Sequence, residues 1–297
     1  MRTDLYQFAV VGGDLRQWYL ADILASKGHG VLAYGLCKDE KIENVKYVSS
    51  VKELIQEAEV LVYPIPFLSP NRMSGAELKE RKEMLSCLRK GQIFFAGCIP
   101  RTVMQQMESQ KVRVFDLMED HCLAVENSVA TAEGMIAEAM IRSPKNLRGS
   151  RCLILGYGVC GRMLASYLKG IRCEVGVVDK SQTACACARA DGMYVVETDR
   201  FLQEMKTADI IFNTIPERIL SAKQLSYVRK SAWILDIASG DGGVDYAAAR
   251  KMGVQAVKLP GLPGKYAPYT SARIIADTIF SKIERVCCSI EDLREGI

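Results

Sequence analysis

The chain reads as an α/β protein built of two parallel-sheet units. Three observations predict this class. Short apolar runs that suit buried strands alternate with helical stretches along the sequence. A strand, a glycine turn and a helix occur in succession twice, first over residues 6–27 and again over 151–168. Finally, 297 residues exceed one typical domain and suit two, each large enough to bury its own core.

Composition narrows the class. Hydrophobic residues make up 49% and charged residues 25%, proportions that exclude disordered and collagen-like chains. The net charge of +4 is spread without basic blocks, so a solvated surface is expected and not a nucleic-acid face. No apolar run approaches the length of a membrane span, and Asp4 and Asp14 flank the first strand where a secretory leader would be uninterrupted. A cytoplasmic protein is expected. The eleven cysteines are an odd number and include no C-x-x-C pair, while Cys185 and Cys187 stand two apart on an expected helix and face different ways. No metal site is expected, and most of the thiols read as small core hydrophobes in a reducing compartment.

The first half opens with a strand at 6–11, the segment GGDLRQ at 12–17, an amphipathic helix over 18–27 and a strand at 31–34. The Gly12-Gly13-Asp14 turn lacks a third spaced glycine, and Asp14 would repel a pyrophosphate, so a second dinucleotide is not expected here. Asp14, Arg16 and Gln17 nevertheless stand at a strand's C-terminal end, where open α/β sheets present ligand-binding groups. The alternative is that Asp14 caps the helix and Arg16 is exposed. Further strands are expected at 60–65, 93–96 and 112–117, with a Pro/Ser/Asn/Gly-rich loop to Gly75 and a helix over 77–88. His29, in a Lys-Gly-His-Gly turn, reads as exposed.

A long alanine-rich helix over 126–141 has no strand partner and stops at Ser143-Pro144, because the residue before proline leaves the helical region. The expected organisation is an N-terminal α/β domain (1–125), a bridging helix (126–143), a dinucleotide-binding domain (144–270) and a C-terminal helix (271–297) packing back on the first domain. The second domain continues with helices at 183–191, 222–228 and 246–252, and strands at 208–214, 233–237 and 255–258. LPGLPGKYAPYT (259–270) reads as a rigid loop ahead of a final helix over 272–286.

The centre of the second domain is RCLILGYGVCG at 151–161. Leu153, Ile154 and Leu155 form a buried strand, and Gly156, Gly158 and Gly161 stand at G-x-G-x-x-G spacing before a helix. The first glycine permits the turn, the second admits a pyrophosphate close to the backbone, and the third lets helix and strand pack. The helix N-terminus supplies free N–H groups to a phosphate. A strand at 174–178 then ends in Asp179, at about the twenty-residue offset where an acidic side chain meets the adenosine ribose. This is a Rossmann dinucleotide-binding pattern. The expected cofactor residues are Gly156, Tyr157, Gly158, Val159, Cys160, Gly161, Asp179, Lys180 and Ser181, then Asn213, Thr214, Ile215 and Pro216 of the NTIP turn, and Ala238 and Ser239 of the ASG turn. Asp179 favours NAD over NADP, because a carboxylate accepts both ribose hydroxyls and repels a 2′-phosphate; Lys180 and Ser181 would hold that phosphate if Asp179 turned away.

GGDLRQ (12–17), NSVATAEG (127–134), GYGVCG (156–161), NTIP (213–216), LDIASGDGG (235–243) and LPGLPGKYAP (259–268) run in order along nearly the whole chain. Together they resemble the A subunit of dipicolinate synthase of spore-forming bacteria. The resemblance implies two Rossmann-like domains arranged as in formate and glycerate dehydrogenases, and NAD(P)-dependent oxidation of dihydrodipicolinate, or its hydrated tetrahydro form, to dipicolinate during sporulation. It also implies a B-subunit partner; a homo-oligomer is expected as well. The chain departs from the family pattern at Ala130 and Asp241, where proline is common.

Such a reaction needs cations for a small dicarboxylate substrate, and Asp14, Arg16, Arg101 and Lys265 are the candidate substrate-binding residues, each beside a strand end or glycine loop. Glu133 and His121 are the candidates to take the ring proton, each with a surface role as the alternative. Two other readings stay open. An alanine- or hydroxyacid-dehydrogenase-like enzyme is one, although no histidine follows His121 to act as the usual hydroxyacid catalyst. A cofactor-binding regulatory subunit without its own turnover is the other.

Overall fold

The computed structural model describes residues 5–67, 84–197 and 199–295, with side chains to Val286. It divides into two compact units, Met1–Ala124 with Ala267–Ile297, and Val125–Tyr266.

The first unit holds β1 (Gln7–Val11), α1 (Leu15–Ser26), β2 (Gly30–Tyr34), β3 (Val45–Tyr47), α2 (Val51–Glu57), β4 (Val60–Val62), β5 (Ile93–Ala96), α3 (Arg101–Ser109) and β6 (Arg113–Asp116). All neighbouring strands pair in parallel in the order β3-β2-β1-β4-β5-β6. α4 (His121–Arg142) begins here and carries the chain into the second unit, which holds β7 (Arg151–Leu155), α5 (Val159–Gly170), β8 (Glu174–Val178), α6 (Gln182–Ala190), β9 (Tyr194–Val195), α7 (Phe201–Thr207), β10 (Ile210–Asn213), α8 (Ala222–Leu225), β11 (Trp233–Asp236), α9 (Tyr246–Met252), β12 (Gln255–Lys258) and α10 (Leu262–Tyr266). Its sheet runs β12-β11-β10-β7-β8-β9, again wholly parallel. Both sheets therefore follow the 3-2-1-4-5-6 order of a doubly wound fold, with a switch point between β1 and β4 and another between β7 and β10. α11 (Pro268–Glu295) belongs to the first unit, where Ala272, Ile275, Ile279 and Ile283 share a buried cluster with Leu20 and Leu24 of α1.

Several expectations need correction. The strand expected at 60–65 stops at Val62, because Pro64 and Pro66 cannot continue a ladder. The strand β3, the helices α2, α3 and α7 and the strand β9 escape the pattern through their shortness, although Ser50 and Glu53 form the start of a capping box and the Ser50 hydroxyl accepts the Glu53 N–H at 3.2 Å. α4 starts at His121, five residues early, since the Asp120 carboxylate caps it by accepting the Leu123 N–H at 3.0 Å. The expected loop at 259–270 is instead α10 and the start of α11, whose prolines sit in first turns that need no N–H. Most of the helix expected over 77–88, with the loop to Gly75, lies outside the described residues; residues 84–87 are helical.

His29 is half-buried and not an exposed turn residue. Its ring stacks on Phe280 at 5.3 Å between centroids, and its Nδ1 accepts the Tyr6 N–H at 3.2 Å. The cysteines are less buried than expected: Cys152 and Cys185 lie in the core, whereas Cys37, Cys98 and Cys122 are exposed at turns and a helix start. Among the described residues, no helix is long and apolar enough to cross a membrane, and no group of three or more His, Cys, Asp or Glu side chains is placed to hold a metal ion.

Candidate functional site

The C-terminal edge of the second sheet gathers the predicted cofactor residues. β7 ends at Leu155 and turns at Gly156, whose φ of +93° disfavours any residue with a Cβ. A Cβ at Gly156 would also stand 2.4 Å from Thr214 Oγ1, and one at Gly161 would stand 2.0 Å from the Gly156 carbonyl oxygen. Gly158 differs. Its φ is −75°, and a Cβ there would meet nothing within 4 Å. It is the N-cap of α5 and contributes no side-chain cap, so the first-turn N–H groups of α5 lack that partner. An open cradle at a helix N-terminus that only a Cβ would obstruct fits a pyrophosphate.

Asp179 follows β8 and reaches back to this turn. Its carboxylate accepts the Tyr157 N–H at 2.7 Å and the Ser181 N–H at 2.8 Å. Tyr157 is fastened at its other end, where its hydroxyl donates to Asp191 at 2.9 Å; burial and that carboxylate push the phenol well above its ordinary range. Lys180 pairs with Glu217 at 3.0 Å, and Ser181 caps α6 by accepting the Ala184 N–H. Burial raises the Cys160 thiol, partly offset by the Thr131 hydroxyl.

On the other side of the switch point, the Thr214 N–H and hydroxyl both donate to the Leu155 carbonyl, at 2.9 and 3.0 Å. Asn213 and Asp236 face each other in register at the ends of β10 and β11. Asp236 is fully buried. Its Oδ1 accepts from Asn213 Nδ2 and the Ala238 N–H, both at 2.9 Å, and its Oδ2 accepts from the Gly243 N–H at 3.1 Å and the Tyr246 hydroxyl at 2.8 Å. Burial and Asp236 push the Tyr246 phenol upward, so it remains a donor. One carboxylate thus ties the turns holding Ile215, Pro216, Ala238 and Ser239. The sequence reading missed Asp236, Gly243 and Tyr246; the available signal was two polar residues ending adjacent apolar strands.

Glu133 and Lys265 also lie in this unit. Glu133 is exposed on α4, with the Tyr167 hydroxyl at 3.4 Å. Lys265 lies on α10 and not in a loop, and its Nζ pairs with the buried Glu138 of α4, which also accepts from the Tyr266 hydroxyl at 2.6 Å and from Arg142. Burial alone would raise the Glu138 carboxyl, but these three donors hold it at about 2. A larger cavity of about 570 Å³ opens at the opposite, N-terminal edge of the sheet beside Arg151 and Glu174, away from these turns.

In the first unit, a cavity of about 290 Å³ opens at the β1/β4 switch point, beside Gly13, Asp14, Arg16, Gln17 and Pro64. Gln17 is buried and its Nε2 donates weakly to the carbonyls of Val11 and Val62, the last residues of β1 and β4. Asp14 caps α1 through the Arg16 N–H and grips the Arg16 guanidinium by Nε and Nη2, the latter also donating to the Ile65 carbonyl. Burial raises the Asp14 carboxyl, but Arg16 more than offsets this and holds it below the usual range. Arg16 is therefore not exposed: its side chain is 12% accessible and two of its three nitrogens are engaged. Arg101, the first residue of α3, is exposed and has no ion-pair partner among the described residues, and His121 is exposed at the start of α4.

Residues 7–118 match the model of the N-terminal domain of the dipicolinate synthase A subunit. Over 280 residues the chain is 28% identical to the dipicolinate synthase A subunit of Bacillus subtilis (strain 168), covering 92% of this chain and 94% of that one. The chain is thus similar to dipicolinate synthase A subunits over nearly its whole length. The crystal structure of dipicolinate synthase, A chain, from Bacillus subtilis is similar at TM-score 0.81 and 26% identity, over 97% of this chain and 99% of that one. The crystal structure of the A subunit from Bacillus halodurans has the same TM-score at 24% identity, over 94% and 98%, and shares the fold. Residues 121–250 match the NAD-binding domain of D-isomer-specific 2-hydroxyacid dehydrogenases. The match supports an oxidoreductase whose second unit carries a nicotinamide-dinucleotide domain, and the cradle at Gly158 fits that cofactor.

Proposed function

We propose that this chain acts as the A subunit of a dipicolinate synthase, oxidising dihydrodipicolinate, or its hydrated tetrahydro form, to dipicolinate during sporulation, together with a B subunit. The observation that carries this reading is the open cradle at Gly158 in a chain similar to the dipicolinate synthase A subunit. The bound dinucleotide supplies the hydride acceptor, and aromatisation of the ring supplies the driving force. The task left to the protein is to hold the substrate's two carboxylates and to accept a proton.

Three cations are the candidates for the carboxylates, and they differ in how free they are. Arg101 offers a guanidinium without an ion-pair partner among the described residues, whereas Arg16 offers its Nη1 edge, because Asp14 and Ile65 take the rest. Lys265 shares Glu138 with Arg142, so this cluster of two cations and one anion keeps one net positive charge. Arg101→Ala is expected to raise KM for the substrate at least about tenfold, the loss of a charge-assisted contact, with little change in cofactor affinity. Asp14 is a positioning residue for Arg16. Glu133 and His121 are the proposed proton acceptors. Asp179 favours NAD, since its carboxylate would stand against a 2′-phosphate.

Reduction of NAD or NADP is followed by near-ultraviolet absorbance with enzymatically generated dihydrodipicolinate, with and without the B subunit. Turnover by the chain alone makes it the dehydrogenase and gives the cofactor. Turnover only with the partner favours a second reading, a cofactor-binding subunit whose substrate grip is completed elsewhere; the pairing of Arg16 and Lys265 with in-chain carboxylates supports it. No turnover in either mixture removes the dipicolinate assignment.

A further inference from the structure

Among the described residues, the buried carboxylate of Asp236 has no cation as a partner. Its four neighbours are an amide, two backbone N–H groups and a phenol, and all of them donate. Both oxygens are fully used as acceptors, which is the pattern of an ionised carboxylate. Lys258 is its register partner on β12, but the Lys258 ammonium is turned to the Gly240 carbonyl. A fixed negative charge therefore sits without a paired counter-charge beneath the turns that follow β10 and β11. In a doubly wound sheet those turns serve the half of a dinucleotide beyond the switch point, opposite the acid that meets the adenosine ribose. That half carries the nicotinamide, which is cationic when oxidised and neutral when reduced.

We propose that Asp236 is a positioning and specificity-determining residue of the cofactor site: it fixes the NTIP and ASG turns and its charge favours the oxidised nicotinamide over the reduced one. The inference rests on the cofactor reading above. It gives the site a direction, because an enzyme that passes hydride to the dinucleotide must bind the oxidised form and release the reduced one. The charge needs no contact with the ring, since a buried carboxylate in a medium of low polarity is felt over several ångströms. Tyr246 and Asn213 hold it in place, and the turns cannot move without breaking bonds to it.

The test is calorimetric titration of the full chain with NAD+ and NADH, and with NADP+ and NADPH. In Asp236→Asn the Kd of the oxidised form is expected to rise about tenfold while that of the reduced form changes less than about threefold, as befits loss of a charge felt through partly hydrated protein. Tyr246→Phe keeps the charge and loosens the turns, so both Kd values should rise together. Lys258→Met removes the in-register cation and should move the oxidised-to-reduced preference the other way, by about twofold or more. Equal weakening of both forms in Asp236→Asn overturns the proposal. If that variant does not fold, an unchanged preference in Lys258→Met overturns it. Wild-type protein that binds no dinucleotide removes the cofactor reading itself, and this inference with it.

Discussion

Glu138 concentrates the energetics of single residues in this chain. It is a carboxylate 1% exposed one turn before the C-terminal end of α4, an arrangement tolerated only because Lys265, Tyr266 and Arg142 all donate to it. Its folded pKa is depressed from 4.5 to about 2, so its stabilisation is complete above about pH 5 and fades as pH falls from there towards 2. The shift is worth at most about 3 kcal/mol, and the exposure of Lys265 reduces it. Glu138→Gln is expected to lose about 1–3 kcal/mol at pH 7 and to show a shallower loss of stability between pH 5 and 3, read by denaturant unfolding across that range. An unchanged acid profile would mean that the cluster contributes nothing. His29 works with the same sign at higher pH. Burial, then the neighbouring Lys27 charge, lowers its pKa from 6.5, so its neutral form stabilises the fold above that value and protonation costs the acceptor of the Tyr6 N–H.

At the scale of elements, β7, the glycine turn and α5 separate two demands that the motif spacing merges. Gly161 is required by packing, since its Cβ would strike the Gly156 carbonyl, whereas Gly158 sits at an ordinary φ in open space, where packing makes no demand for glycine. Gly158→Ala should leave stability within about 1 kcal/mol and weaken dinucleotide binding at least about tenfold. Gly161→Ala should cost about 1–3 kcal/mol of stability whether or not cofactor is present. Thermal unfolding beside cofactor titration distinguishes them, and a Gly158→Ala chain that binds cofactor normally would empty the cradle of its meaning. The glycines, Asp179 and the strand ends were legible in the sequence because spacing alone places them at one sheet edge. Arg16 and Lys265 were legible as cations, but their in-chain partners were not: Asp14 lies two residues from Arg16, yet the carboxylate that holds Lys265 is 127 residues away in sequence. Asp236 was hidden for a similar reason, since its partners come from β10, the 238–243 turn and α9.

For the molecule as a whole, both sheets share one strand order, and each unit has its own buried clusters: Phe8, Leu20, Phe95 and Ile279 belong to the first, and Ile154, Leu164, Phe212 and Met135 to the second. The alternation of apolar runs and helices foretold the parallel sheets, because strands covered on both faces must be continuously apolar. Short elements such as β3 and β9 left no comparable signal. Among the described residues the open cradle at Gly158 lies in the second unit, so the two units should respond differently to a dinucleotide. A ligand that binds only the folded second unit at about a hundred times its Kd stabilises that unit by about 2.7 kcal/mol, equivalent to roughly 5–11 °C for a unit of this size. Scanning calorimetry with NAD should therefore raise the transition of Val125–Tyr266 by that amount and leave the rest of the unfolding profile where it is. Gly158→Ala, with binding weakened at least about tenfold, should cut the shift to about half or less while keeping both transitions. An equal rise across the whole profile would mean that cofactor binding is felt by both cores at once, and the first unit would then have to be counted as part of the cofactor's folding unit.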